Sequence, residues 1–235
     1  LVDGSGNPEH TYTQVGEYTV TLTVTDSTGL SSSATVKVIV EPEIYYVSRP
    51  APEGYGDDNG VSGRACGPRD RPCSTITTAL QHAASAHITD VWIGVGTFDS
   101  FSTDTNVDPN LDGVNISGGH DDRNGLASTW VVDPALTTTV PGALVSGMQS
   151  AIRVTGPHFK PTRISNLTVN AGNSPTVTTP TAGVSLVGVI RLGLQLDNIT
   201  VTWPATATGN GRDSTGVLLS GSTATITNST IDSGL

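Results

Sequence analysis

Three short segments in the C-terminal part of the chain repeat one pattern: ISNLTV at residues 164–169, LDNITV at residues 196–201 and ITNSTI at residues 226–231. Each has the form apolar-x-Asn-x-Thr-apolar, and their starts are 32 and then 30 residues apart (164, 196, 226). A second pair, GVSL at residues 183–186 and GVLL at residues 216–219, recurs after 33 residues (183, 216). A strand-like repeat of this length without helices predicts a β-solenoid, in which each coil adds a rung of about 4.8 Å.

The repeated asparagines have two interpretations. Asn166, Asn198 and Asn228 can stack at one turn of successive coils, adopt left-handed backbone angles and exchange side-chain hydrogen bonds between rungs. Each also begins an Asn-x-Thr sequon, so the same residues can instead carry glycans on an outer face. The near-constant spacing favours the ladder, because glycosylation does not require equal spacing. Asn115, in an Asn-Ile-Ser sequon outside this register, is the better glycosylation candidate.

Composition and charge favour an all-β protein and exclude some partners. Of the 235 residues only 14% are charged and 27 are glycine, with many threonines and valines, which favours strands and turns. Lys and Arg number 11 against 21 Asp and Glu, and this net charge of −10 argues against a nucleic-acid partner. No apolar run reaches the roughly 18 residues that a transmembrane helix needs, so no membrane span is predicted.

The N-terminal region contains a strand pair. Apolar residues alternate with threonines over residues 18–25, residues 26–29 (DSTG) form a turn, and alternation returns over residues 34–40. The segment EPE at residues 41–43 ends the sheet and predicts a domain boundary.

The stretch HTYTQVGEYTVTLTVTDSTG, residues 10–29, resembles the second half of a PKD domain, an immunoglobulin-like β-sandwich. The resemblance is carried by His10, Tyr12, Gly16, Tyr18 and Asp26. It implies a partial PKD-like sandwich over residues 1–42, about half of such a domain. A sandwich without its first strands exposes its sheet edges and half of its core.

The two cysteines predict a disulfide. Cys66 and Cys73 close the eight-residue loop CGPRDRPC, which is readily bridged. A metal site is the alternative, but the second ligand pair that zinc sites need is missing. A disulfide implies an oxidising compartment, so the expected location is extracellular or the cell surface.

One helix is predicted, over residues 74–86, with Ser74 as its N-cap and Ile76, Ala79, Leu80 and Ala83 on its apolar face. Short strands are predicted on either side of it, at residues 45–47 and 91–95.

The run from YYVS at residue 45 to VWIGVGTF at residue 98, with GVNISGGHDD at residues 113–122, resembles secreted or cell-surface proteins with a right-handed parallel β-helix. The resemblance implies an N-terminal cap over residues 43–87, containing the disulfide loop and the helix, and coils over residues 88–235. The expected fold is therefore all-β: a partial immunoglobulin-like sandwich followed by a right-handed parallel β-helix with one short capping helix.

One loop is a candidate metal site. Asp57, Asp58 and Asn59 place three oxygen donors between glycines, and calcium prefers such ligands. Calcium is the cofactor that this loop suggests, and an acidic, hydrogen-bonded turn is the alternative.

The other polar clusters have structural interpretations. Asp104, Asp108 and Asp112 surround a proline and are interpreted as a solvated loop, and residues 120–123 (HDDR) as an exposed turn.

Asp197 is predicted to form a surface salt bridge, for which Arg163 and Arg191 are the candidate partners. No nucleophile elbow, Cys–His pair or metal spacing of histidines occurs in the sequence, and no catalytic residue is predicted.

We therefore expect a non-enzymatic extracellular or cell-surface segment with a structural or adhesive role, which assembles into a larger structure or filament and contacts glycans. The expected partners are other copies of itself, other surface proteins or polysaccharide. The alternative is a carbohydrate-active β-helix enzyme, a polysaccharide lyase or glycoside hydrolase, whose catalytic coils lie outside this chain or late in it.

Overall fold

The computed structural model describes residues 10–12, 16–40, 44–49, 66–124, 130–145, 148–171, 181–203 and 214–232. The chain divides into two compact units, Leu1–Pro42 and Glu43–Leu235. Within the described ranges it is mostly β structure with one α-helix, and that helix is too short and too polar to cross a membrane.

The elements are numbered in chain order. The strands are β1 Gly16–Thr25, β2 Ser31–Val40, β3 Ile44–Val47, β4 Asp90–Ile93, β5 Gly96–Thr97, β6 Phe101–Asp104, β7 Asn115–Ser117, β8 Thr138–Pro141, β9 Ala143–Val145, β10 Met148–Thr155, β11 Thr162–Asn170, β12 Thr181–Val187, β13 Leu194–Thr202, β14 Ser214–Ser220, β15 Ala224–Thr227 and β16 Thr230–Ile231. The α-helix α1 spans Ile76–Ala86, and a 3₁₀ turn spans Pro109–Leu111.

The first unit contains an antiparallel hairpin of β1 and β2, in which Thr25 pairs with Ser31. The carboxylate of Asp26 holds the turn, since its Oδ1 accepts hydrogen bonds from the backbone N–H groups of Thr28 and Leu30. The second strand begins at Ser31, three residues before the predicted start, because serine hydroxyls there bond to threonine hydroxyls on β1. The apolar side chains of Leu22 and Val36 are 50% and 59% exposed, as expected for half of a sandwich core.

The second unit is built from two sheets of parallel strands. The first parallel sheet has the spatial order β15-β13-β11-β7-β4-β3, with β5, β8 and β16 joined to it. The second parallel sheet has the order β14-β12-β10-β6, and β9 pairs antiparallel with β10. From β10 to β15 the chain alternates strictly between the two sheets, so each strand pairs in parallel with the strand two places later.

The two sheets curl around a common apolar core. One row of this core runs through five strands of the first sheet in register: Tyr45, Val91, Ile116, Ile164 and Leu196, all 5% exposed or less. Parallel strands buried on this face place equivalent apolar side chains directly above one another, and burying each one contributes about 1.5–3 kcal/mol.

Helix α1 packs its buried face against β3, β4 and β6. The predicted apolar face is buried, but the N-cap is Thr75 rather than Ser74: the Thr75 side chain accepts a hydrogen bond from the backbone N–H of Thr78. A second acceptor comes from a distant loop, where the two carboxylate oxygens of Asp99 accept from the backbone N–H groups of Ile76 and Thr77 at 2.6 and 3.1 Å. Negative charge at this end of a helix is favourable.

The predicted disulfide between Cys66 and Cys73 is confirmed. Its loop lies along strand β3, the outermost strand of the first sheet: the backbone N–H of Tyr46 donates to the carbonyl of Gly67, and the N–H of Cys73 donates to the carbonyl of Tyr46. The loop therefore covers a strand edge that would otherwise expose unpaired backbone groups.

Candidate functional site

The repeated asparagines form one corner of the first sheet. Asn166, Asn198 and Asn228 have φ angles of 58°, 52° and 51°, a left-handed conformation that asparagine tolerates better than most residues. The Asn198 side chain donates to Asn166 Oδ1 at 2.9 Å, and Asn166 donates to Ser117 Oγ at 3.2 Å. Asn228 departs from this chain, since its amide donates to Asp197 Oδ1 at 2.9 Å.

Replacing Asn198 should separate the two functions of this corner. Asn198→Gly keeps the left-handed backbone accessible and removes only the bond to Asn166, whereas Asn198→Ala also forces a β-carbon into that conformation. We expect the alanine variant to be less stable than the glycine variant by about 1 kcal/mol, measured by urea unfolding. Equal stability of the two variants would show that the backbone conformation is not what asparagine supplies.

Asp197 connects three neighbouring strands. Its carboxylate forms an ion pair with Arg163 on β11 and accepts from Thr227 Oγ1 on β15 at 2.7 Å. Hydrogen bonds from Thr227, Arg163 and Asn228 lower its pKa to about 2. The other candidate partner, Arg191, instead places its guanidinium over the ring of Phe159, 4.7 Å from the centroid. The Asp197 side chain is 13% exposed, so the salt bridge lies less at the surface than predicted.

The interpretation of residues 120–123 as an exposed turn is wrong for two of its residues. His120 and Asp122 are 2% and 5% exposed. Asp122 accepts from Ser48 Oγ at 2.7 Å and from the backbone N–H of Val95 at 3.0 Å, so it ties the end of β3 to the turn after β4. Residue 94 must be glycine there, because a β-carbon would lie 2.1 Å from an Asp122 oxygen.

His120 belongs to an aromatic cluster on the outer side of β3 and β4. Its ring stacks on Trp92 at a centroid distance of 4.4 Å, and Trp130 contacts Tyr46 edge-on at 4.8 Å. His120 Nδ1 donates to the carbonyl of Trp130 at 2.8 Å, because a carbonyl can only accept, and this fixes the proton of the neutral ring on Nδ1. The cluster anchors the segment after β7 to the sheet.

A second buried histidine lies near the other strand ends. His158 is fully buried, and its Nδ1 lies 3.0 Å from Thr162 Oγ1 and 3.4 Å from Asp112 Oδ1. Asp112 also accepts from the backbone N–H groups of Phe159 and Lys160. The solvated-loop interpretation is therefore wrong for Asp112, which is 9% exposed.

Acidification should destabilise the second unit through these histidines. Burial lowers the pKa of His120 and of His158 below the ordinary value of 6.5. As the pH falls below 6.5, the unfolded chain takes up protons that the folded chain does not, so stability is full above pH 6.5 and declines below it. We expect a loss of up to about 1.4 kcal/mol per pH unit and per histidine, measured by urea unfolding between pH 7 and 5. Constant stability over this range would contradict the buried neutral state.

Two clefts lie among the described residues. The first, of about 230 Å³, borders the asparagine corner and is lined on one side by Asn166, Asn198, Thr168 and Thr200. Its opposite wall is the turn over residues 132–137. The other cleft, of about 320 Å³, lies beside α1 and contains Asp104 and Asp108.

The carboxylates of that other cleft are engaged locally. Asp104 accepts from the backbone N–H of Asn106 at 2.9 Å, and Asp108 accepts from that of Asn110 at 3.0 Å. Each therefore holds the turn that follows it, which is the usual structural use of aspartate in loops.

The remaining predicted sites are placed as follows. Asp57, Asp58 and Asn59 lie outside the described residues. His82 Nδ1 lies within 3.4 Å of Cys66 Sγ, but the bonded sulfurs cannot act as thiolate ligands. Asn115 is half-buried, and its side-chain oxygen accepts from the backbone N–H of Arg163 at 3.0 Å. Glycosylation of the sequons stays a prediction.

Comparison with known proteins identifies the N-terminal part. The PKD domain family matches residues 2–40, so this part of the chain is PKD-like, as predicted. PKD domains are typical of extracellular proteins and indicate an adhesive or structural module. No curated protein and no solved structure matches the chain.

Proposed function

We propose that this chain is a non-enzymatic extracellular or cell-surface segment with a structural or adhesive role, in which a PKD-like unit precedes a right-handed parallel β-helix. The observation that carries the proposal is the strict alternation of successive strands between two parallel sheets with an unbroken register. Such a stack is rigid along its length and repeats one outer surface from rung to rung. The PKD-like unit and the disulfide support an extracellular location.

The buried carboxylates of the described residues support a structural role over a catalytic one. Glycoside hydrolysis uses two carboxyl groups that face each other across the scissile bond. Asp112, Asp122 and Asp197 instead accept hydrogen bonds from backbone, hydroxyl or guanidinium groups of neighbouring segments. Each joins two parts of the stack.

Location and catalysis can be tested together. Antibodies raised against the purified chain should label intact source cells or their medium, and a signal only after permeabilisation would contradict the proposal. The full-length protein incubated with acidic and neutral polysaccharides should release neither reducing nor unsaturated ends. Release of either product would instead establish the carbohydrate-active enzyme.

A further inference from the structure

A row of threonines runs across the outer face of the first sheet. The parallel register places Thr97, Thr139, Thr168, Thr200 and Thr230 beside one another on five successive strands. Their side chains are half-buried or exposed, and their hydroxyls form no hydrogen bond with any other described residue. Neighbouring strands are about 4.8 Å apart, so the row presents identical hydroxyl groups at that repeat.

The row is continuous with the cleft at the asparagine corner. Thr168 and Thr200 belong to both, because each follows a corner asparagine by two residues in the repeated Asn-x-Thr motif. The facing turn adds apolar surface from Pro134 and Leu136. It is held in place because Asp133 Oδ1 accepts from the backbone N–H of Ala135 at 2.9 Å. The cleft therefore has a polar floor and a partly apolar wall.

The chemistry of these groups selects a class of ligand. Hydroxyl and amide groups both donate and accept hydrogen bonds, which suits the hydroxyl groups of sugars. The described lining contains no lysine or arginine, so a phosphate or uronate would find no cation there. The cleft is smaller than the roughly 300–1,000 Å³ of pockets that enclose drug-sized ligands, so only a small part of a chain-like ligand fits inside.

We propose that the threonine row and the adjoining cleft bind a linear neutral polysaccharide, with one sugar in the cleft and the neighbouring sugars along the row. This inference rests on the proposed extracellular function and names its glycan partner and the surface that binds it. The repeated hydroxyls allow successive sugars to meet the same contacts on successive rungs, so the affinity grows with the length of the polysaccharide.

The test removes two hydroxyls while keeping side-chain shape. Affinity electrophoresis should show that the wild-type chain binds at least one of a neutral β-glucan and a galactomannan, and is not retarded by polygalacturonate. We expect Thr168→Val combined with Thr200→Val to weaken this binding about tenfold. The matched control is Thr225→Val, an exposed strand threonine outside the cleft, which should bind as the wild type does.

Thermal unfolding checks that the variants fold alike, since the replaced hydroxyls bond to no described residue. The proposal is overturned if neither neutral polysaccharide binds, if polygalacturonate binds as well as they do, or if the double variant binds like the wild type. None of these results affects cell-surface labelling or the product assay, so the proposed function would survive the loss of this binding surface.

Discussion

Phe101→Ala is expected to lower the free energy of unfolding of the second unit by about 3–5 kcal/mol, the range for truncating a fully buried phenylalanine. Phe101 is 1% exposed and lies on β6, in register with Ile152 of β10. Strand β6 also contacts helix α1, so the cavity would open where the sheet and the helix meet. Few side chains can relax into that space, because backbone hydrogen bonds fix the strands on either side. Urea unfolding followed by circular dichroism measures the loss.

The matched control is Phe159→Ala. Phe159 is 57% exposed, and its ring carries the guanidinium of Arg191 at 4.7 Å, a contact of about 0.5–1 kcal/mol at an exposed site. The same truncation should therefore reduce stability several times less than at residue 101. Similar losses for both variants would mean that Phe101 does not lie in a closed core.

The repeat in the sequence predicts the strand register closely. The 32-residue interval between ISNLTV and LDNITV is the interval that pairs Ile164 with Leu196, and the 33-residue interval of the second motif pairs Val184 with Val217. Such patterns are readable because parallel strands bury equivalent positions, so each rung selects the same residue type at the same place. Ile226 continues the row but is 41% exposed, since no described strand covers β15 on its outer edge.

The polar network could not be predicted in the same way. Ser48, which donates to Asp122, is 74 residues away in sequence, and Asp99 accepts from the start of a helix that lies more than 20 residues earlier. Nothing in the local sequence distinguishes a carboxylate that accepts such bonds from one in water. Burial of His120 was likewise unpredictable, because its partners Trp92 and Trp130 lie on separate segments that only the folded sheet brings together.

Replacing both cysteines, Cys66→Ala with Cys73→Ala, should lower the free energy of unfolding of the second unit by about 2–3 kcal/mol. The chain-entropy estimate for an eight-residue loop gives this value, because the unfolded chain gains freedom when the bridge is lost. The folded state is affected too, since the bonded loop covers the edge of β3 through the hydrogen bonds to Tyr46 and to Ser48. Urea unfolding of both proteins, with and without a reductant, measures the effect.

The reductant supplies the control for packing. Both sulfurs are almost fully buried, so the alanine variant loses contacts as well as the bridge, whereas reduction of the wild type removes the bridge alone. Reduction should therefore destabilise the wild type by nearly as much as the double substitution does, and it should leave the variant unchanged. If fully reduced wild type, verified by thiol labelling, were as stable as the oxidised protein, the bridge would add nothing to the hydrogen bonds that already hold the loop on β3. The edge of the first sheet would then be protected by backbone pairing alone.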